Sequence, residues 1–181
     1  MRYSTRNIVA IGFIAALATV LMWIQTPLLP AAPFLEYDLS DVPVMIGSYA
    51  LGPVAGVLIA TVKAFVFLIT KGKSGLIGAL MNLTATVSFV FVASLIYHRL
   101  KKSFAGAILG LITGIITMTV VMTIMNIYVA LPIWGIPAEQ IKPLVISAII
   151  PYNLLRGTIS SIAVALVYRR FIKILNQYVN K

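Results

Sequence analysis

Cysteine is absent from this 181-residue chain, so neither a disulfide framework nor a thiolate metal site is available to it. Charge is nearly as scarce: 10% of residues are Asp, Glu, Lys or Arg, against about a quarter in soluble domains. There are four acids in all, and His98 is the single histidine. It lies in a basic cluster at the end of an apolar run, which reads as an interfacial position. A histidine-based metal site or a Ser–His hydrolase has little to be built from. A nucleotide-binding loop is missing too. Gly72-Lys73-Ser74 looks like the end of one, but the pattern needs a Gly five positions before Gly72, and Phe67 stands there. Nothing in the chain points to bond chemistry or ATP hydrolysis, so it reads as a non-enzyme with no catalytic residues and no cofactor.

What the chain has in abundance is apolar length. Hydrophobic residues make up 61% of it, too many to hide inside so small a protein, so most of the exterior must face lipid. The net charge of +10 could belong to a nucleic-acid binder. Here, however, the basic residues sit in short clusters at the ends of apolar runs, as cytoplasmic helix ends do, and nucleic acid is excluded as a partner. Arg2 and Arg6 precede an apolar run from Ile8 to Ile24. That run is long for a signal peptide and lacks a small-x-small cleavage site, so it is read as a retained helix.

The expected fold is all-α and integral to the membrane, a single domain over 1–181. Crossing the hydrocarbon takes about 20 apolar residues. Helices are predicted at Asn7–Thr26, Val42–Leu51, Pro53–Ile69, Leu76–Tyr97, Phe104–Ala130 and Pro143–Tyr168, followed by a basic tail, Arg169–Lys181. The break at Gly52-Pro53 is decided by charge, with Lys63 and Arg156 set aside because they lie inside apolar runs. With the break there are six helices and both termini are cytoplasmic. Arg2, Arg6, Arg99, Lys101, Lys102, Arg169, Arg170, Lys173 and Lys181 then lie inside, and Lys71, Lys73 and Lys142 outside. Without it, five helices put the larger share of basic residues outside. The cost is a second helix too short to span alone, tolerated where it packs against protein or lines a cavity.

Polar groups within the helices carry the functional signal. An ionisable residue at membrane depth is expensive and marks a cavity or a partner. Arg156 lies near the middle of the last helix, about 20 Å from either end at about 1.5 Å per residue, too deep to reach water easily. It either contacts a substrate or pairs with a carbonyl, Asp38 or Asp41. Asn153 is one turn earlier on the same face, and Pro151 lacks an amide and kinks the helix. Asn126 and Asn82 each offer a donor and an acceptor; the alternative for Asn82 is an interhelical hydrogen bond. Lys63 either serves the cavity or snorkels outward. Tyr37, Tyr49, Tyr128, Trp134 and Tyr152 could receive a flat ring or form an interfacial belt. An outward cavity with amides, a cation and aromatics suits a planar, polar molecule that is uncharged or anionic. An ion filter would instead need rings of carbonyls or carboxylates. On the first helix, Gly12, Ala15, Ala16 and Thr19 form a small-residue face where another helix can approach closely. That helix is either internal or from another subunit.

Between helices 1 and 2, the connector Pro27–Asp41 holds three of the four acids, Glu36, Asp38 and Asp41. The block Phe34-Leu35-Glu36-Tyr37-Asp38-Leu39-Ser40-Asp41-Val42-Pro43, followed by Ile46-Gly47 and Leu51-Gly52-Pro53-Val54-Ala55-Gly56, resembles the S components of energy-coupling-factor (ECF) transporters, the riboflavin-specific members above all. Asn126-Ile127-Tyr128 with Leu131-Pro132, and Ile150-Pro151-Tyr152-Asn153-Leu154-Leu155-Arg156-Gly157, extend the resemblance over the whole chain. It implies a bacterial cytoplasmic-membrane protein that captures riboflavin from outside for ATP-driven uptake. Its implied partners are a membrane T component and two cytosolic ATPase subunits. The small face of helix 1 would meet the T component, with Gly12 where the family has Ala. In the family an Asn of helix 5 and a basic residue of helix 6 contact the flavin ring, matching Asn126 and Arg156. The family residue is Lys; Arg keeps the charge but brings a planar fork. On this reading the binding set is Asn126, Asn153 and Arg156 at the ring, with Asp38 or Asp41 at the ribityl hydroxyls and Lys63, Asn82 and Tyr37 as further candidates. The alternatives are an S component for flavin mononucleotide, pantothenate or thiamine, and a self-sufficient small permease.

Overall fold

The computed structural model describes residues 4–30, 32–71 and 75–179; Arg2, Lys181 and the Gly72-Lys73-Ser74 turn lie outside them. The elements are α1 (Thr5–Met22), β1 (Thr26–Pro27), β2 (Glu36–Tyr37), α2 (Asp41–Leu51), α3 (Pro53–Lys71), α4 (Gly75–Arg99), α5 (Phe104–Met125), α6 (Leu131–Ile133), α7 (Ala138–Leu144) and α8 (Ile150–Val179). Two π-helical turns, Asn126–Ala130 and Val145–Ile149, join α5 to α6 and α7 to α8. Among the described residues, five helical stretches are long and apolar enough to cross a membrane: Thr5–Met22, Pro53–Thr70, Gly75–Arg99, Phe104–Ile133 and Ala138–Tyr168. Large apolar side chains such as Phe13, Phe65, Ile116 and Leu166 point outward from them, as a lipid-facing surface requires.

Three boundaries differ from the sequence expectation, each for a local reason. The first helix ends at Met22 rather than Thr26. A residue before proline is pushed toward extended backbone, so Thr26-Pro27 forms a strand and pairs antiparallel with Glu36-Tyr37. The connector is therefore a short hairpin in an otherwise helical chain. The last span begins at Ala138, with Pro143 inside it rather than at its start. Its far end runs on to Val179, taking in most of the basic tail.

The break between α2 and α3 is present. Gly52 has φ of 104°, a conformation that costs glycine little and other residues much, and Pro53 starts the next helix. At 11 residues, α2 is about 16 Å long against a hydrocarbon core of about 30 Å. Most of its side chains are buried, Val44, Met45, Ile46 and Tyr49 among them, because α1, α3, α4 and α8 surround it. A helix apolar on all sides is stable only when enclosed in this way.

The closest packing is between α4 and α5. A Cβ on Gly110 would strike the backbone oxygen of Ala93, and one on Gly114 would lie 2.7 Å from the backbone oxygen of Phe89. At the end of the bundle away from the hairpin, the rings of Tyr49 and Tyr97 stack with centroids 4.3 Å apart. The Tyr97 and Tyr168 hydroxyls lie 2.8 Å apart, and Tyr49 donates to Ala107 O at 2.9 Å. His98 sits beside this group, its Nδ1 2.9 Å from Ser94 O. On α1, Gly12 and Ala16 face outward, whereas Ala15 and Thr19 are buried inside the chain. The small-residue face is thus split, and Ala15 and Thr19 are turned to the chain's own core.

Candidate functional site

A cavity of about 390 Å³ lies beneath the hairpin, within the size range of small-molecule sites. Each helix brings its side chains to it by ordinary helical spacing. From α4 come Gly78 and Asn82, four residues apart; Met122 of α5 and Asn126 of the first π turn are likewise four apart; α8 supplies Tyr152, Asn153 and Arg156. Phe34, Leu35 and Glu36 of the hairpin cover the opening, with Trp134 beside them. Phe34 and Trp134 meet edge to face at 6.5 Å, and Tyr152 donates its hydroxyl to Glu36 O at 2.6 Å. The hairpin is in this way tied to α8.

Both π turns have the same cause and both flank the cavity. Leu131 N–H reaches back five residues to Asn126 O, and Ile150 N–H does the same to Val145 O. In each case the next residue is a proline, Pro132 or Pro151. A proline ring crowds the carbonyl four residues back and cannot donate to it; a widened turn moves that carbonyl aside. Such turns are frequent at functional sites.

The amides are held in a fixed sense. Asn126 donates Nδ2 to Met122 O at 2.7 Å, and Asn153 donates Nδ2 to Ile149 O at 2.8 Å. A carbonyl can only accept, so the NH₂ side of each amide faces its own helix. The Oδ1 atoms of Asn153 and Asn82 are buried without a hydrogen-bond partner, a costly state unless something donates to them.

Behind the cavity wall stands a buried ionic cluster. Asp41, at the start of α2, is fully buried and pairs with Arg156 of α8 at 2.8 Å and with Lys63 of α3 at 3.3 Å. Thr86 of α4 donates to Asp41 Oδ1 at 2.7 Å, and Lys63 also donates to Ser40 Oγ at 2.9 Å. Lys63 is 0% exposed, so it does not snorkel. Its side chain lies behind Asp41 rather than on the cavity wall. Of the two readings left open for Arg156, the pairing with Asp41 is present, and the same side chain also lines the cavity.

Of the sequence-predicted residues, the fold brings Asn82, Asn126, Asn153 and Arg156 to the cavity wall. Asp38 turns its carboxylate to its own chain, accepting Ser40 N–H at 2.8 Å. Tyr37 meets Ser160 Oγ at 3.1 Å; burial raises its phenol above the ordinary value, against an opposing effect of that hydrogen bond. Tyr49 is in the far tyrosine cluster and Tyr128 is 76% exposed. Sequence reasoning missed Met122 and Gly78, each one turn before a chosen asparagine, and Phe67 and Met81. Helical spacing from Asn126 and Asn82 would have found the first two. Among the described residues, no group of three His, Asp or Glu side chains is placed to hold a metal ion.

The family described as ECF transporter, substrate-specific component, matches residues 6–168. The chain belongs to that family. It is an S component, part of a transporter rather than an enzyme. It is similar to the riboflavin transporter RibU of Staphylococcus aureus (strain TCH60), 35% identical over 95% of this chain and 93% of that relative. It is also similar to the riboflavin transporter RibU of Streptococcus thermophilus, 31% identical over 91% of this chain and 82% of that one. A solved structure of the S component of a bacterial ECF transporter superposes with a TM-score of 0.82 at 36% identity, covering 93% of this S component and 96% of that chain.

Proposed function

We propose that this S component captures riboflavin from outside a bacterial cell and delivers it for ATP-driven uptake. The observation that carries this reading is the cavity under the hairpin, where the Asn82, Asn126 and Asn153 amides converge with Arg156 between apolar walls. A flavin ring needs such a site: flat apolar faces and one edge rich in carbonyls and N–H groups. The unpaired Oδ1 atoms of Asn82 and Asn153 await donors, and the guanidinium suits the ring carbonyls. Relatives that bear the name riboflavin transporter, with which this chain shares 31–35% identity, support the same ligand. Asp41 and Lys63 act one layer back, through Arg156.

In this reading the chain crosses the cytoplasmic membrane with six segments, α2 being the short one. Both termini are cytoplasmic, which keeps most basic residues inside. The cavity then opens outward. A T component docks on the outward stripe of α1 that includes Gly12 and Ala16, and two cytosolic ATPases supply the energy, since the sequence carries no complete nucleotide-binding loop motif. Riboflavin fluorescence is the test. Purified protein in detergent should quench it on a saturable curve and carry a yellow flavin from the host. No quenching, with tight binding of pantothenate or thiamine instead, would assign another vitamin. Riboflavin uptake by the chain alone in proteoliposomes would favour a self-sufficient permease.

A further inference from the structure

Asp41 has two oxygens and three partners with charge or hydroxyl to offer. Oδ1 takes Thr86 Oγ1 at 2.7 Å and faces Lys63 Nζ at 3.3 Å. Arg156 reaches the other oxygen, Oδ2, through both Nε at 3.0 Å and Nη2 at 2.8 Å. A carboxylate with both oxygens free takes a guanidinium two-pronged, one N–H to each oxygen. Here that geometry is blocked, because Oδ1 is already filled from α3 and α4. The three charges in hydrogen-bond contact are two cations and one anion; Asp38 gives its Oδ1 to Ser40 N–H and acts on Arg156 only through space, without a hydrogen bond to it. Lys63 is sealed from the cavity and Arg156 lines it. The surplus positive charge therefore has one face toward a ligand, the guanidinium.

We infer that Lys63 and Thr86 are positioning residues for ligand capture. By occupying Asp41 Oδ1 they hold Arg156 on Oδ2 at the cavity wall, and Lys63 keeps Asp41 from neutralising it. Neither touches the ligand. This rests on the reading of the cavity as a riboflavin site. In a low-dielectric setting a charge that is already balanced attracts a carbonyl edge far less than one that is not. The same arrangement explains why a lysine is tolerated in the middle of an apolar helix: its ammonium has three acceptors, Ser40 Oγ, Asp41 Oδ1 and Thr86 Oγ1.

The test is a charge-restoration experiment on purified protein, read by riboflavin fluorescence quenching and by the visible absorption band of the bound flavin, which reports hydrogen bonding at the ring's carbonyl edge. Lys63→Met leaves Asp41 and Arg156 as a balanced pair and should weaken riboflavin binding about tenfold, as loss of a charge-assisted hydrogen bond would. The double variant Lys63→Met/Asp41→Asn restores the surplus charge on Arg156. It should recover affinity to within about threefold of wild type, with the absorption band returning toward the wild-type position. Thr86→Val should weaken binding in the same direction by a smaller factor. A Lys63→Met protein that binds like wild type overturns the inference, as does a double variant weaker than the single, which is what a merely structural lysine would give. Should Lys63→Met fail to fold, Thr86→Val decides: unchanged affinity and an unchanged band overturn the inference. Wild type that does not quench riboflavin overturns the reading of the cavity, and this inference with it; wild type that binds, with unaffected variants, overturns this inference alone.

Discussion

The two ends of the Asn153 amide have different work. Its NH₂ bonds the Ile149 carbonyl one turn back, and its Oδ1 is buried with nothing to accept from. An alanine there removes both. Asn153→Ala should weaken riboflavin binding about tenfold, the worth of one hydrogen bond at the strong end of the usual range, in a quenching titration. Asp41 is a different case, since its carboxylate joins α2, α3, α4 and α8 through Lys63, Thr86 and Arg156. Removing it alone leaves two buried cations facing each other. Asp41→Ala should cost about 3–5 kcal/mol, as breaking a buried pair does, seen as a lower unfolding temperature in detergent. The asparagines and Arg156 were legible in the sequence because polar groups stand out in apolar runs. The carboxylate that Arg156 uses was not, since Asp38 and Asp41 are three residues apart and equally plausible until the fold brings Asp41 to Arg156 and turns Asp38 onto Ser40 N–H.

At the level of elements, the prolines and glycines carry most of the information. Pro132 and Pro151 each follow a π turn, and those turns aim Asn126 and the Tyr152–Asn153 pair at one space. The sequence shows a proline and predicts a kink; it does not say that the kink is taken up as a widened turn N-terminal to it. On α5, Gly110 lies directly against the backbone oxygen of Ala93, and backbone cannot rotate away as a side chain can. Gly110→Val should therefore separate α4 from α5 and cost about 1–3 kcal/mol or more by overpacking, measured by thermal unfolding. The hairpin is the element that periodicity could not foresee. Its strands are two residues each, too short for any alternation to register, and it is held by Tyr152 and Trp134, which are over 90 positions away in the chain.

For the molecule as a whole, the direction of capture depends on which end faces which side of the membrane. The natural absence of cysteine makes the chain a clean background for labelling. Glu139→Cys, in the proposed outer loop, should react with a membrane-impermeant maleimide in intact cells. Leu100→Cys, at the proposed inner turn, should react after permeabilisation and not before. The reverse pattern would invert the topology and point the cavity inward, against capture from outside.

Membrane residence, the number of long apolar spans, the break at Gly52-Pro53 and the asparagines with a central arginine were determined by the sequence alone. These follow from composition and from helical spacing, which are local along the chain. Tertiary structure decided which polar residues face the cavity and which stand behind it, that Lys63 pairs with Asp41, and that half of the small face of α1 turns inward. A buried charge settles on whichever partner the packing of distant helices brings within about 3 Å, and no spacing within one helix records that choice.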